Sequence, residues 1–431
     1  RDAQGCIGKM LWRRYFPEKK AAGKTKGRQE AHEIRGKRRG PTGGIHGYPE
    51  DRIMDWGVYV HIPFCRQKCF YCDFPSFTGR ESLMEEYTQA LCREIAVQGS
   101  LLREKGRGKP ATIYIGGGTP TVLPQKQLAE ILAALQDFFG QPAEFTIEAN
   151  PGTVEPGLFK LLRAQGVNRL SLGVQSFDDG LLRRIGRIHD AADAQRAVVA
   201  ARQAGFENIS LDLMYGLPGQ SMEMLADSVE QALALEPQHI SIYGLQVEEG
   251  TVFGQQQASG CLRLPSEEEA EAMYDYMTAV LPSAGYVRYE ISNFARPGFE
   301  SQHNTGYWQD VPYLGLGAAA HTYWDGQRWE NTVDPARYTA CIQSGESVRH
   351  QEEQADRNIQ MEEFCFLALR MARGIDKAAF AAKFGQLIGS IYHRSIEEMK
   401  RRGLLEEDES YLRLTSLGMK YGNLVFEAFL L

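Results

Sequence analysis

Short β-like runs alternate with longer helical patterns from residue 57 to residue 284, and this alternation limits the fold of the 431-residue chain more than any other feature. Such alternation implies parallel strands joined by right-handed crossovers. Six strand–helix units are too few to close an eight-unit barrel. The sequence therefore predicts an α/β fold with an open, partial (β/α)6 TIM-like barrel. Its strands are expected at 57–62, 112–115, 144–148, 169–174, 208–213 and 239–245, and its helices at 82–102, 126–139, 155–164, 179–185, 191–204, 222–235 and 266–284.

A polar residue or a glycine stands at the end of each predicted strand. Function in parallel β/α barrels is found at the carboxyl ends of the strands, so this recurrence predicts a binding site along one rim. In chain order the rim consists of a cysteine loop, a glycine-rich turn at 116–120, Glu148 with Asn150, Gln175, Asp212 with Tyr215, and Gly244.

The loop after the first strand carries Cys65, Cys69 and Cys72 in a C-x3-C-x2-C pattern. A [4Fe-4S] cluster needs four ligands, so three thiolates leave one iron open to a small molecule. A zinc site with His61 as the fourth ligand is one alternative, but structural zinc ligands usually come in two pairs, and the sequence has no second C-x2-C. A redox disulfide would leave one cysteine unexplained. The spacing favours the cluster.

An open iron is suited to the amino and carboxylate groups of S-adenosylmethionine, whose sulfonium a single electron from the cluster can cleave. The three glycines at 116–118 would let backbone approach such a ligand closely. Glu148 offers two carboxylate oxygens to ribose hydroxyls. The alternatives are a tight strand–helix turn for the glycines and a structural, hydrogen-bonded role for Glu148.

Charge is distributed unevenly along the chain. Residues 1–53 contain 14 Lys and Arg and 6 acidic residues, a net charge of +8. Because the whole chain has a net charge of −7, residues 54–431 carry −15. An acidic body argues against nucleic-acid binding. We expect residues 1–53 to be a basic, disordered extension or to precede a natural start near Met54, with a polyanion-binding arm as the alternative. The five scattered cysteines suit a reducing cytoplasm.

The remaining chain divides into two parts. We expect the barrel to occupy 54–285, followed at 286–360 by an irregular, aromatic-rich linking region with the string His303-Asn304-x-x-Tyr307-Trp308. Residues 361–431 show three helical patterns and a hairpin around the acidic run 406–409. This arrangement predicts a mostly helical, winged-helix-like module. The acidic run disfavours phosphate contact, so nucleic acid is not an expected partner.

From Gly57 onward the chain resembles the radical S-adenosylmethionine superfamily, close to its coproporphyrinogen-oxidase-like branch. The strings that carry the resemblance are YVHIPFCRQKCFYC, YIGGGTPT, IEANP, SLGVQSF and LDLMYGLPGQ. The resemblance implies a [4Fe-4S] cluster on the three cysteines. It also implies a first S-adenosylmethionine at Tyr59, Gly117 and Glu148, and positions matching a second at Tyr71, Gly118, Thr119, Gln175, Arg187, Asp212 and Gly244.

Two activities within this branch divide on a few residues. The oxygen-independent coproporphyrinogen III oxidases have a fourth cysteine two residues after the third, and this chain has Phe74 there. Cys72-Asp-Phe74 and the HNxxYW string instead resemble the HemW haem chaperones. That resemblance implies a protein that binds haem and passes it to recipient proteins. Membrane-associated respiratory enzymes are the expected recipients, and a homodimer is the expected oligomer.

The haem ligand is less defined by the sequence. By the same resemblance His303 is the candidate iron ligand, and Tyr307 and Trp308 could stack on a porphyrin. The alternative is that His303 caps a loop while the two aromatic residues pack in the core. His321 is a second candidate, with a packed turn residue as its alternative. No catalytic residue is assigned, and radical decarboxylation of coproporphyrinogen III is the competing function.

Overall fold

The computed structural model describes residues 55–431 of the chain. The expectations for residues 1–53 lie outside the described residues.

All six predicted barrel strands form, and they lie side by side in chain order, each parallel to the next. One face of these strands is apolar and fully buried, as at Val58, Ile113, Phe145 and Leu170, and it packs against the helices in a single large core. The predicted partial parallel barrel is therefore confirmed. The strands are β1 (Gly57–Ile62), β2 (Thr112–Gly117), β3 (Glu144–Ala149), β4 (Arg169–Gln175), β5 (Asn208–Tyr215) and β6 (His239–Gly244).

The crossover helices follow the predicted pattern. Two of them begin with reciprocal capping boxes, Asp190 with Asp193 and Ser266 with Glu269, which satisfy free N–H groups at the first turn. One short helix, α7, was not predicted. The helices are α1 (Met84–Glu104), α2 (Gln125–Phe139), α3 (Leu158–Ala164), α4 (Asp179–Arg184), α5 (Ala191–Gln203), α6 (Met222–Ala234), α7 (Val252–Ala258) and α8 (Glu267–Ser283).

The second face of the barrel strands is polar. Alternate residues of β4, namely Arg169, Ser171, Gly173 and Gln175, all line the cleft at the barrel mouth, whereas the residues between them belong to the apolar core. Because side chains alternate along a strand, one register places every polar residue on the same side. The barrel interior is thus prepared for a ligand and is not filled by apolar side chains.

Residues 286–360, which we expected to be irregular, instead extend the sheet at both edges. On one edge β9 pairs in parallel with β1, and on the other β8 pairs antiparallel with β6. Among the described residues this gives one twelve-stranded sheet. Most of these strands were missed because they are short, with two to five residues, and the six-residue strand β12 is polar throughout. They are β7 (Val287–Arg288), β8 (Asn293–Ala295), β9 (Tyr313–Leu316), β10 (His321–Trp324), β11 (Gln327–Asn331) and β12 (Arg349–Gln354), with helices α9 (Gln302–Trp308) and α10 (Pro335–Ser344).

The C-terminal region forms the three predicted helices and the hairpin around a core of its own. A short third strand joins the hairpin in the order β13-β15-β14. Two final helices were not predicted. The elements are α11 (Arg357–Arg370), β13 (Ile375–Asp376), α12 (Lys377–Phe384), α13 (Ile388–Arg401), β14 (Leu405–Glu407), β15 (Tyr411–Leu414), α14 (Ser416–Lys420) and α15 (Gly422–Ala428). The domain boundaries themselves stay a prediction.

Within residues 55–431, none of the helices has the length and apolar character needed to cross a membrane.

Candidate functional site

A cleft opens at the carboxyl ends of the barrel strands. We call it the cysteine cleft. Most of the residues that the sequence singled out meet there, although they come from five different strand ends and loops. Those that line it are Cys65, Cys69, Tyr71, Cys72, Gly117, Gly118, Thr119, Glu148, Gln175, Arg187 and Asp212.

Backbone hydrogen bonds hold the cysteine loop against the segment that follows α4. The Phe70 N–H donates to the Ile185 carbonyl at 3.0 Å, and the Gln67 side-chain amide donates to the Gly186 carbonyl at 3.0 Å. At the base of the loop, the Cys65 N–H donates to the Phe77 carbonyl at 3.0 Å. These anchors fix the loop across the barrel mouth without using any cysteine side chain.

The electrostatic environment of the thiols suits cation binding. Burial raises the pKa of Cys65 and Cys72, and the neighbouring thiols raise both further. Arg187 Nη1 lies 3.4 Å from Cys69 Sγ, and Thr119 Oγ1 lies 3.6 Å from Cys65 Sγ. Three thiolates here would need more positive charge than the single guanidinium of Arg187 carries. The iron ions of a metal cluster supply that charge.

The three thiols do not converge on one point. Among the described residues, no three His, Cys, Asp or Glu side chains are placed to hold a single metal ion. In an iron–sulfur cube each cysteine binds a different iron, so its thiolates stand around the cluster and do not meet at one atom. His61, the fourth ligand of the zinc alternative, has both ring nitrogens engaged, Nδ1 at 3.0 Å from the Tyr59 hydroxyl and Nε2 at 2.9 Å from the Pro75 carbonyl oxygen, so the arrangement favours the cluster.

The glycines after β2 are required by close packing of the protein on itself. A Cβ on Gly117, whose φ is +110°, would lie 2.5 Å from Cε1 of His61, and a Cβ on Gly118 would lie 2.5 Å from the Phe64 carbonyl oxygen. A Cβ on Gly116 would lie 3.0 Å from the Glu148 carboxyl group. Packing alone therefore requires these glycines. Gly117 and Gly118 also line the cleft, and the close approach of a ligand to them stays a prediction.

Two carboxylates face the cysteine cleft from neighbouring parts of the rim. Glu148 accepts hydrogen bonds from the Tyr114 hydroxyl at 2.7 Å and from the Gly117 N–H at 3.3 Å, one on each oxygen. Asp212 accepts from the Ser171 hydroxyl, at 3.3 and 3.2 Å to its two oxygens. Each carboxylate oxygen can accept further bonds. Both groups can therefore bind ligand hydroxyl or ammonium groups while they stay fixed.

Arg187 connects the cysteine loop to the strand ends. Burial alone would lower its pKa, but Cys69 and Tyr71 raise it overall. Its guanidinium also donates to the Gly173 carbonyl, whereas its buried Nε has no hydrogen-bond partner among the described residues. A buried donor without a partner in a cleft wall is suited to an acceptor on a ligand.

Gln175 is held in the left-handed backbone region, with φ of +69°, at the point where the pairing of β4 with β5 shifts register. This conformation costs a residue other than glycine about 1 kcal/mol or more. Strain of this kind concentrates at functional sites, and here it points the side chain at the cysteine cleft.

Replacing Gln175 with glycine is expected to leave the free energy of unfolding unchanged or to raise it by about 1 kcal/mol, because glycine adopts positive φ without strain. The same change should weaken binding of S-adenosylmethionine. Chemical denaturation and equilibrium binding measure the two effects. A variant that is destabilised and binds normally would show that Gln175 has a purely structural role.

Two predicted binding residues lie outside the cysteine cleft. Tyr59 is buried beneath it, where its hydroxyl meets His61 Nδ1 at 3.0 Å and its ring stacks on Tyr114. Gly244 lines a larger neighbouring cleft together with Tyr215. Direct contact of either residue with a ligand in the cysteine cleft is not supported by this arrangement.

The structure does not support His303 as an iron ligand. Its ring is buried, with Nδ1 2.7 Å from Thr112 Oγ1 and Nε2 2.8 Å from the Tyr307 hydroxyl, and it stacks on Tyr114. Burial, followed by the nearby Arg169, lowers the pKa of His303 to about 3. Both nitrogens are already engaged, and Tyr307 and Trp308 pack in an aromatic cluster, as in the alternative interpretation.

The low pKa of His303 predicts acid sensitivity. Below pH 6.5 the imidazole of the unfolded chain becomes protonated, whereas the buried imidazole of the folded protein stays neutral until about pH 3. The free energy of unfolding is therefore highest above pH 6.5 and decreases as the pH falls. At pH 5 this single group lowers the free energy of unfolding by about 2 kcal/mol relative to pH 7. Urea unfolding at pH 7 and pH 5 should therefore show a smaller difference for His303→Gln than for the wild type. An equal difference would contradict the buried neutral state.

His321, the second candidate, begins β10 and is not among the residues that line either cleft. Its Nε2 lies 3.7 Å from Glu330 Oε1, and burial lowers its pKa to about 4. It is paired with Glu330 of the neighbouring strand β11, and β10 lies between β11 and β9 inside the sheet.

Several residues of the cysteine cleft were not assigned from the sequence. Alternation along β4 could have identified Arg169 and Ser171, because both share a strand face with Gln175. Ser241 and Tyr243 share one face of β6 and lie on the face opposite to Gly244, the residue predicted there. Asn304 had no such signal, since it lies on α9, outside the barrel pattern. All five line the cysteine cleft.

The donor set of the cysteine cleft fits both a [4Fe-4S] cluster and S-adenosylmethionine. Three thiols provide cluster ligands and leave one iron open. Glu148 and Asp212 provide acceptors, and the buried Nε atoms of Arg187 and Arg169 are donors without a partner among the described residues. These are the groups that an amino acid joined to a ribose requires.

Comparison with protein families agrees with this site. The radical SAM superfamily matches residues 59–232, and the HemN C-terminal domain matches residues 355–420. In fold, the chain is similar to Escherichia coli coproporphyrinogen III oxidase (HemN), a radical SAM enzyme, with a TM-score of 0.77 and 24% identity over 88% of this chain and 90% of that one.

The curated relatives extend over nearly the whole described chain. Heme chaperone HemW of Bacillus subtilis is 39% identical, over 86% of this chain and 98% of its own length. Heme chaperone HemW of Lactococcus lactis is 41% identical, over 87% and 97%, and that of Escherichia coli is 35% identical, over 88% and 99%. The chain therefore belongs to the HemW family of the radical SAM superfamily.

Proposed function

We propose that this protein is a haem chaperone that holds a [4Fe-4S] cluster on Cys65, Cys69 and Cys72, binds S-adenosylmethionine beside it, and carries haem to recipient proteins. The observation that carries the proposal is the full-length similarity to HemW relatives together with Phe74 in the cysteine loop. When bound, the cluster can donate one electron to S-adenosylmethionine.

Phe74 supports this function by its position. It lines the cysteine cleft, and it also lines the larger cleft beside it, where the oxidase pattern would place a fourth cysteine in this loop. An aromatic ring at that junction supplies an apolar contact and no thiol. This favours carriage of a porphyrin over the oxidase chemistry.

The larger cleft, with a volume of about 870 Å³, lies between the barrel rim and the last helices. Pockets for drug-sized ligands usually have about 300–1,000 Å³, so a volume at the upper end of that range can accommodate a macrocycle. The cleft adjoins the cysteine cleft and shares Phe74, Tyr243 and Asn304 with it.

The finer features of this function rest on resemblance. Recipients among membrane-associated respiratory enzymes, a homodimer and a cytoplasmic location are proposals for this chain. Crosslinking of the haem-loaded protein to candidate recipients, combined with sedimentation analysis of its oligomeric state, tests the first two.

Oxygen-independent coproporphyrinogen III oxidation is the second candidate, favoured by the similarity in fold to HemN. A single experiment separates the two. The anaerobically prepared protein is given haem and then apomyoglobin, and in parallel it is given reductant, S-adenosylmethionine and coproporphyrinogen III. We expect haem transfer without porphyrinogen turnover. Turnover without haem binding would replace the chaperone by the oxidase.

A further inference from the structure

We propose, building on the haem-chaperone function, that haem binds in the larger cleft and that one of its propionates is held at Arg370 and Trp308. This cleft, called the C-terminal cleft here, is bounded by the ends of β5 and β6, by α8 and by residues 419–426. It offers an apolar mouth and a buried polar end, which is the distribution of polarity within haem itself.

Large apolar side chains stand on both sides of the mouth of the C-terminal cleft, beside acidic residues of α8. Leu264 belongs to the barrel side and is 38% exposed, whereas Tyr421 and Leu424 belong to the final helices and are 42% and 44% exposed. Large apolar side chains left in water on two facing walls favour an apolar ligand between them. A porphyrin ring has two flat apolar faces that can contact both walls.

The deep end of the cleft contains buried polar atoms that lack partners. Asn293 Oδ1, Asn304 Oδ1, Trp308 Nε1 and Arg370 Nε have no hydrogen-bond partner among the described residues, and all four residues are at least 92% buried. All four also line the C-terminal cleft. An unsatisfied buried polar group costs about 1–3 kcal/mol, so such a concentration indicates a polar group supplied by a ligand.

Arg370 and Trp308 place two N–H donors next to each other. The Arg370 guanidinium lies over the Trp308 ring, with 4.3 Å from its Cζ to the ring centroid. Arg370 Nη2 lies 3.9 Å from Glu290 Oε2, which is beyond hydrogen-bond distance. Burial raises the pKa of Glu290, although Arg370 opposes this shift. The guanidinium can therefore bind a carboxylate of the ligand, and the indole N–H can donate to the same group.

The acidic residues at the mouth do not occupy this donor pair. Glu271 accepts from the Tyr421 hydroxyl at 2.5 Å and pairs at 2.8 Å with Lys420, which also pairs with Asp275. Glu267 lies at the exposed beginning of α8. These carboxylates oppose the binding of an anion, whereas the buried donors favour it, so the ligand is held moderately and can be released, as carriage requires.

The C-terminal cleft also explains why the HNxxYW string matters without an iron–histidine bond. His303 is engaged inside the barrel, but Asn304 lines both clefts, and Trp308 lines the C-terminal one. The string would thus contribute to haem binding through its asparagine and tryptophan. Its histidine would position the helix that carries them.

The test is an anaerobic haem titration, followed at the Soret band, of the full chain and two variants. Loss of a charge-assisted hydrogen bond should weaken haem binding about 10-fold or more in Arg370→Gln, and loss of the indole donor should weaken it about 3–10-fold in Trp308→Phe. Two matched controls are available. Arg328→Gln and Trp56→Phe also remove a buried nitrogen that has no hydrogen-bond partner among the described residues, but both residues lie outside the two clefts. These two variants should bind haem as tightly as the wild type does.

A second ligand isolates the propionate contact. Haem dimethyl ester lacks the propionate charge, so it should bind the wild type about 10-fold more weakly than haem does, with no further loss in Arg370→Gln. If the wild type binds haem and both variants bind it equally well, the site assignment is wrong while the chaperone function stands. If the wild type binds no haem, the proposed function itself fails. Should Arg370→Gln fail to fold, Trp308→Phe alone decides between these outcomes.

Discussion

Replacement of Cys69 by alanine is expected to reduce the iron content of the anaerobically reconstituted protein from about four atoms per chain to near zero. The loop offers three thiols, so removing one leaves two ligands for a cluster that needs at least three protein contacts here. Cys69 is also the thiol nearest to Arg187, at 3.4 Å from Nη1. Iron and sulfide analysis with the visible absorption near 400 nm measures the loss.

Cys92 provides the matched control for this variant. It is a half-buried cysteine on α1, packed against the main core and away from the cysteine cleft. Cys92→Ala should incorporate iron as the wild type does. If Cys69→Ala keeps its full iron content, or if the wild type binds one zinc and no iron, the assignment of the three thiols to a cluster is wrong.

Replacement of Glu148 by alanine is expected to weaken S-adenosylmethionine binding about 10–150-fold, because a hydrogen bond to a charged group is worth about 1.5–3 kcal/mol. The carboxylate is already oriented by Tyr114 at 2.7 Å and by the Gly117 N–H at 3.3 Å, so little entropy is lost when a ribose binds it. Equilibrium dialysis of the cluster-loaded protein under anaerobic conditions gives the affinity.

Tyr114→Phe serves as the comparison for Glu148→Ala. It removes the hydroxyl that orients Glu148 and leaves the carboxylate in place, so the affinity should fall by less than in Glu148→Ala. Iron content must be equal in the two variants, because a lost cluster would also lower the affinity. Unchanged affinity in Glu148→Ala would exclude its role toward the ribose.

Much of the cysteine cleft could be derived from the sequence, because parallel strands place their carboxyl ends at one edge. Cys65, Glu148 and Asp212 are far apart in the chain, yet one topological rule brings them together. The polar face of β4 follows the same rule, since Arg169 and Ser171 share a face with Gln175. The pattern that predicted the strands therefore also contained most of the site.

The parts that the sequence could not provide depend on tertiary packing. His303 has the same residue type whether it binds iron or meets Thr112 and Tyr307, and only the fold decides between them. The glycines at 117 and 118 are needed because a Cβ there would lie 2.5 Å from the His61 side chain and from the Phe64 carbonyl oxygen, respectively, which no local pattern reveals. The C-terminal cleft was missed because its walls come from α8, Arg370 and the final helices, which no short-range pattern in the sequence connects.

The proposed function requires one vacant coordination position at the iron cluster. Electron paramagnetic resonance of the reduced, reconstituted protein measures it directly, because a ligand on the open iron changes the spectrum of the cluster. We expect a [4Fe-4S] signal whose g values shift when S-adenosylmethionine is added and shift less when the same concentration is added to Glu148→Ala. A signal that S-adenosylmethionine leaves unchanged at saturating concentration, or reduced protein with no cluster signal, would contradict the account.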